Sequence, residues 1–162
     1  MRIYLIGMPG SGKSTLGKKL SKRLNYKFID MDNYIEKKAC MFVDEIFENY
    51  GEEYFRELER NTLNEFLDMD DIVIATGGGV IKNKDNKNLI DGKCIYLYVK
   101  PEVLEKRLEQ SKIVRPLLLE KSVYTLYDER KDLYEYFKDI KVDNENIDNS
   151  VEEIVEALKW KH

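Results

Sequence analysis

A chain of 162 residues, 43% hydrophobic and 36% charged, is long enough for one globular domain without a disulfide framework, and three prolines and nine glycines are too few for a collagenous or Pro/Gly-rich disordered chain. Lys and Arg total 27 against 31 Asp and Glu, so the net charge of −4 supplies no global positive field for a nucleic-acid backbone or an anionic membrane. The one histidine, His162, is the last residue, which takes Ser-His and Cys-His catalysis and His-ligated zinc off the list, and the well separated Cys40 and Cys94 read as buried, reduced, inert thiols.

The first apolar run, Ile3 to Ile6, is continuous rather than alternating, as suits a strand buried on both faces of a parallel sheet. It is far shorter than a signal-peptide core of about 7–15 residues or a membrane span of about 20, so a cytoplasmic protein is expected. Leu16, Leu20 and Leu24 then keep helical spacing, and Lys27-Phe28-Ile29 reads as a second strand. Tyr34 to Leu67 has a helical pattern broken at Gly51, followed by strands at Ile72–Ala75 and Cys94–Val99. Ser111 to Tyr124 contains a proline and no clear period, which reads as a mobile loop leading into a helix. Ile140-Lys141-Val142 reads as the last strand, and Ser150 with Glu153 as a capping box opening a final helix over Ile154, Val155, Leu158 and Trp160. Strand and helix alternate with no repeat or linker, which predicts a single α/β domain with helices on both faces of its sheet and ligands at the carboxyl ends of the strands.

The strongest local signal is Gly7-Met8-Pro9-Gly10-Ser11-Gly12-Lys13-Ser14, which matches G-x-x-x-x-G-K-[ST] between the first strand and the first helix. Its glycines let successive backbone N–H groups curl toward phosphate oxygens at the positive end of the helix dipole. Lys13 is placed to reach the β and γ phosphates, and the Ser14 hydroxyl to ligate Mg²⁺. Nucleotide phosphate binding follows; the fate of the phosphate does not, because kinases, switches and motors share this loop.

Further residues suggest a second pocket. Asp30 and Asp32 follow the second strand, where one carboxylate could hold a metal-bound water and the other a substrate hydroxyl, or either could cap the next helix. Thr76-Gly77-Gly78-Gly79 surrenders side chains at a strand end, which fits close backbone approach to a ligand better than a simple turn. Arg115, beside Pro116, could swing onto the transferring phosphate or be a loop charge. Arg56 and Arg130, taken locally, read as solvated helical charges.

Taken in order, these segments resemble the shikimate kinase family: Gly-Met-Pro-Gly-Ser-Gly-Lys-Ser-Thr at 7–15, Phe-Ile-Asp-Met-Asp at 28–32, Gly-Glu-Glu-Tyr-Phe-Arg-Glu-Leu-Glu at 51–59, Gly-Gly-Gly-Val at 77–80, Val-Arg-Pro-Leu-Leu at 114–118 and Glu-Arg-Lys-Asp-Leu-Tyr at 129–134. The resemblance implies a three-layer P-loop kinase fold with a central five-stranded parallel sheet in the order 2-3-1-4-5. It also implies a helical substrate-binding insertion over about residues 31–60 and a mobile lid over about 111–124. It further implies Mg²⁺-assisted transfer from ATP to the 3-hydroxyl of shikimate, in aromatic amino acid biosynthesis.

By the same resemblance Asp32 contacts the shikimate hydroxyls, Arg56 and Arg130 hold its carboxylate, and Gly78, flanked by Gly77 and Gly79, presents a backbone N–H. Gly10, Ser11, Gly12, Lys13, Ser14 and Thr15 surround the phosphates, Arg115 is the lid arginine on them, and Lys13, Asp32 and Arg115 carry the catalysis. Ser14 is the Mg²⁺ ligand and Asp30 its partner through water. The chain departs from the family in a shorter stretch between Arg115 and Arg130 and in having no arginine from Asp143 to Asn149, which leaves base contacts to Arg107 and backbone groups. A kinase for another polyol acid such as gluconate, and a nucleotide-gated binding module, are the alternative readings. A monomer acting on a small molecule, with no nucleic acid or membrane partner, is the default.

Overall fold

The computed structural model describes residues 1–110 and 122–159. Strands β1 (Arg2–Ile6), β2 (Lys27–Asp30), β3 (Ile72–Ala75), β4 (Lys93–Tyr98) and β5 (Ile140–Asp143) pair in parallel in the order β2-β3-β1-β4-β5. This is the sheet the resemblance implies, with Tyr4 opposite Ile74 on one side of β1 and Cys94 on the other. The central strand is apolar throughout because both faces are covered: Ile3 and Leu5 enter one core, Tyr4 and Ile6 the cores opposite.

One face carries helices α1 (Lys13–Leu24) and α7 (Ile147–Lys159). Leu16 and Leu20 of α1 meet Val151, Ile154, Val155 and Leu158 of α7 over Ile3, Leu5, Val73, Ile95 and Leu97. The other face carries α2 (Met31–Ala39), α3 (Val43–Tyr50) and α4 (Glu52–Phe66) at one end, and α5 (Pro101–Gln110) and α6 (Val123–Phe137) at the other. Tyr96 of β4 stacks on Tyr134 of α6 with centroids 4.8 Å apart, which seats α6 on the sheet.

Three local expectations change. The helical stretch from Tyr34 is interrupted at Cys40 as well as at Gly51: both take left-handed backbone, with φ 55° and 88°, and each caps the helix before it. The same corner leaves Cys40 exposed, whereas Cys94 is buried and its thiol is pushed up to about 12 by burial and the nearby Asp139 charge. The last helix starts one turn earlier than Ser150. Asn146 accepts from the N–H of Asn149, and the Ser150 hydroxyl donates back to Asn146 O at 2.9 Å, so Ser150 lies inside the helix and caps nothing. Trp160 and His162 lie outside the described residues.

At the other end of the irregular stretch expected over 111–124, Ser122 accepts from the N–H of Thr125 and opens α6, so residues 122–124 belong to a capped helix start. Residues 111–121 are outside the described residues. No helix among the described residues is long and apolar enough to cross a membrane.

Leu20, fully buried between sheet and α7, tests the weight of this core. Leu20→Ala is expected to lower the unfolding free energy by about 2–5 kcal/mol, and Lys18→Ala on the exposed face of the same helix to change it by no more than about 0.5 kcal/mol, measured by chemical denaturation.

Candidate functional site

Because every strand points the same way, the segments after β1, β2, β3 and β5 meet at one edge of the sheet. The segment after β1 is the phosphate-loop motif. Gly10 and Gly12 hold φ at 81° and 94°, where a side chain would be strained, and the loop closes with Ser11 N–H on Met8 O and Leu16 N–H on Gly12 O. Helix α1 has no side-chain cap, so its first N–H groups face outward as anion donors. Lys13 folds over the loop, its Nζ donating to Gly7 O at 2.7 Å and Met8 O at 3.1 Å.

Asp30, the last residue of β2, caps the next helix, one of the roles read from its position, and also meets the phosphate loop. Its Oδ1 accepts from the N–H of Asn33 and caps α2, while its Oδ2 accepts from the Ser14 hydroxyl at 2.7 Å. A hydroxyl and a carboxylate so close offer hard oxygen donors to a divalent cation. No set of three acidic, Cys or His groups forms a metal cage among the described residues. That combination fits Mg²⁺, which keeps several waters and leans on one or two carboxylates plus substrate phosphates.

The segment after β3 is anchored where Thr76 donates from both Oγ1 and N–H to Leu5 O, at 2.8 and 3.1 Å. Beyond it, four charged side chains close on three glycines. A Cβ on Gly77 would lie 2.8 Å from both Asp32 Oδ1 and Glu59 Oε2, one on Gly79 would collide with the Arg56 guanidinium, and one on Gly78 would approach Arg130 Nη1 at 3.2 Å. A side chain at Gly77 or Gly79 would therefore displace these charged groups, and one at Gly78 would crowd Arg130.

Arg56 and Arg130 are not solvated helical charges. Arg56 is largely covered, bonded to Glu59 Oε1 at 2.6 Å and Glu52 Oε1 at 3.2 Å, with its guanidinium near the faces of Phe47 and Phe55. Arg130 is 2% exposed and donates from Nη1 to Gly78 O at 2.7 Å, while among the described residues its Nε and Nη2 meet no acceptor in hydrogen-bond geometry, with the Tyr134 hydroxyl beside them. Helix α6 turns toward the sheet at this position, which a count of charges along the helix cannot reveal.

Burial, with the Asp30 charge adding to it, raises the Asp32 carboxyl to about 6. Burial raises Glu59 to about 7, against the opposing pull of Arg56. Glu59 was missed in the sequence; the signal was its place one turn after Arg56, on the same helix face.

A cleft of about 770 Å³ runs from Arg107 past Lys13 and Ser14 to Asp32 and Gly78, while Arg56 lines a neighbouring pocket with Glu52 and Lys82. Gly77 and Gly79 are buried behind Gly78, and Thr15 stands exposed at the mouth of the loop. Arg107 lies at the other end of the cleft, where it donates to Gly10 O at 3.2 Å and Asn144 O at 3.0 Å. Asn144 is a second site residue missed in the sequence, where its position directly after the last strand was the available signal. Arg115 lies outside the described residues.

With this geometry in view, the comparisons agree. The family model described as shikimate kinase matches residues 9–159. A shikimate kinase from a Sulfurihydrogenibium species is 40% identical over 97% of this chain and 97% of its own length. A bifunctional shikimate kinase/3-dehydroquinate synthase from Thermotoga maritima is 45% identical over 86% of this chain, which spans only 29% of that longer protein. Among solved structures, a shikimate kinase from Acinetobacter baumannii in complex with shikimate superposes with a TM-score of 0.87 at 29% identity, covering 98% of this chain and 92% of that one. A matching phosphate loop, a glycine turn ringed by buried charge and a family match over nearly the whole length lead to one conclusion: the chain belongs to the shikimate kinase family.

Proposed function

We propose that this protein, as one domain over residues 1–162, transfers the γ-phosphoryl group of ATP to the 3-hydroxyl of shikimate, yielding shikimate 3-phosphate and ADP. The observation that carries this reading is the convergence of Asp32, Arg56, Glu59 and Arg130 on Gly77–Gly79, beside the phosphate loop. The relative seen with shikimate bound supports the class of acceptor.

The chemistry is positioning and charge neutralisation. The N–H groups of Gly10 to Thr15 hold the phosphates, and Lys13 leaves the carbonyls of Gly7 and Met8 for the β and γ oxygens. Ser14 would hold Mg²⁺, with Asp30 reaching it through water, and the chemistry the ion would supply is charge neutralisation at the phosphates. Asp32, as a carboxylate, accepts the hydrogen bond of the attacking hydroxyl and points its oxygen at phosphorus. The Nε and Nη2 donors of Arg130, which meet no acceptor in hydrogen-bond geometry among the described residues, suit together with Arg56 the planar carboxylate of the acceptor, and Gly78 offers its N–H. Glu59 keeps Arg56 in place. Arg107 lies on the base side, and Arg115 supplies the lid arginine on the phosphates. We infer a monomer working in the cytoplasm on small molecules, without nucleic acid or membrane, in keeping with the net charge of −4.

The deciding assay is ADP release with Mg-ATP and shikimate, gluconate, quinate or no acceptor, with the product identified by mass and NMR. Release with shikimate alone and a 3-phosphate product is expected; release indifferent to every acceptor would overturn the reading. Arg130→Ala is expected to weaken shikimate binding by about 2–5 kcal/mol while ATP affinity holds, because the substitution removes a desolvated partner of the acceptor only; calorimetric titration of each ligand checks it.

The pH dependence follows from the raised carboxyls. Only the ionised Asp32 accepts the hydroxyl proton, so kcat/KM for shikimate should climb with pH through an apparent value near 6, the limb belonging to Asp32 and Glu59 jointly. Stability runs the opposite way. Both groups titrate near 4 in the unfolded chain, so the folded state holds more protons between about pH 4 and 7 and loses stability as pH rises through that window. Glu59→Gln should flatten that decline in denaturation curves taken at pH 5 and 8.

A further inference from the structure

The phosphate loop is held from behind by a residue that neither its motif nor the acceptor site explains. Asn144 follows β5 and is fully buried, and its backbone N–H donates to Tyr98 O at 2.8 Å, pinning it to the end of β4. From there its side-chain Nδ2 donates to Ser11 O at 2.7 Å. Ser11 O can only accept, so the amide must face it with nitrogen, and Oδ1 is left buried without a partner among the described residues. Its own carbonyl accepts from Arg107 Nη2, while Arg107 Nη1 donates to Gly10 O. Two successive loop carbonyls, Gly10 and Ser11, thus each have a donor from outside the loop. A Cβ at Gly12 would lie 2.7 Å from Asn144 Nδ2, so the loop glycine also makes room for this amide.

We propose that Asn144 is a positioning residue for nucleotide binding: by engaging the Ser11 carbonyl it fixes the peptide planes of the phosphate loop so that their N–H groups face the phosphates. A loop rich in glycine has many backbone states, and ordering it during binding would weaken affinity; a donor supplied by a rigid strand end removes that cost beforehand. The unsatisfied Oδ1 shows that the side chain sits there at some expense, one that a merely space-filling residue would not incur. The inference rests on the reading of this loop as the ATP phosphate site.

The test is calorimetric titration of wild type, Asn144→Ala and Asn144→Leu with ADP in magnesium buffer and, separately, with shikimate. Leucine keeps the shape of asparagine and lacks the donor. ADP dissociation constants about three- to tenfold higher in both variants, the worth of one buried hydrogen bond, with shikimate constants within about twofold, are the expected result. ADP affinity retained in Asn144→Leu would mean packing alone and overturn the proposal, as would equal weakening of both ligands. Should Asn144→Leu fail to fold, Asn144→Ala decides by the same contrast between ligands. A wild type that does not bind ADP would instead remove the phosphate-site reading on which the proposal stands.

Discussion

A sheet whose strands all run in one direction delivers every carboxyl end to the same edge, and the rest of this molecule follows from that constraint. Gly7 leaves β1 there, Asp30 ends β2, Thr76 leaves β3 and Asn144 leaves β5. None of these positions needs to find the others by a flexible search, because strand pairing sets their spacing. The hydrogen bonds of Thr76 to Leu5 O and of Asn144 N–H to Tyr98 O continue that pairing past the strand ends and carry its rigidity into the site.

Onto this rigid edge the fold places charges where packing alone would not put them. Asp32 and Glu59 both have carboxyls raised by burial, and two Arg130 nitrogens meet no acceptor in hydrogen-bond geometry among the described residues. Such groups cost stability unless something compensates; among the described residues Glu59 is met by Arg56, and Arg130 by the Gly78 carbonyl with the Tyr134 hydroxyl beside it. An apolar core of the same volume would hold the fold at least as well. What the charges provide instead is polar, partly unpaired capacity beside the phosphate loop, which a well-packed apolar core would lack. The three glycines belong to this economy, since a methyl group on any of them would meet a charged side chain.

The aromatic pair beneath Arg130 shows how the sheet controls the far side of the pocket. Tyr96 of β4 stacks on Tyr134, one helical turn beyond Arg130, and Phe137 and Leu126 bury the same face of α6. A helix seated in this way turns the guanidinium inward, toward Gly78, although the neighbouring Glu129 and Lys131 are exposed.

Sequence alone determined the features that depend on near neighbours. Continuous apolar runs marked the inner strands β1, β3 and β4, because a strand covered on both faces can accept little else, whereas the edge strands β2 and β5 carry Lys27 and Lys141 and showed only shorter apolar runs. The phosphate loop was legible because its glycine positions require left-handed backbone within a few residues. Asp30 and Asp32 were legible as a pair at a strand end, though the double role of Asp30 was not. Local cues also misled: Ser150 has the spacing of a capping box, yet the helix begins at Ile147 because Asn146 provides the cap. Tertiary structure decided everything that joins distant segments. Arg130 meets Gly78 across 52 residues, Arg107 meets Gly10 across 97, and Asn144 meets Ser11 across 133. No periodicity encodes those pairings, because a buried side chain's partner is set by which strand ends lie side by side, and strand order emerges only when the whole sheet has formed.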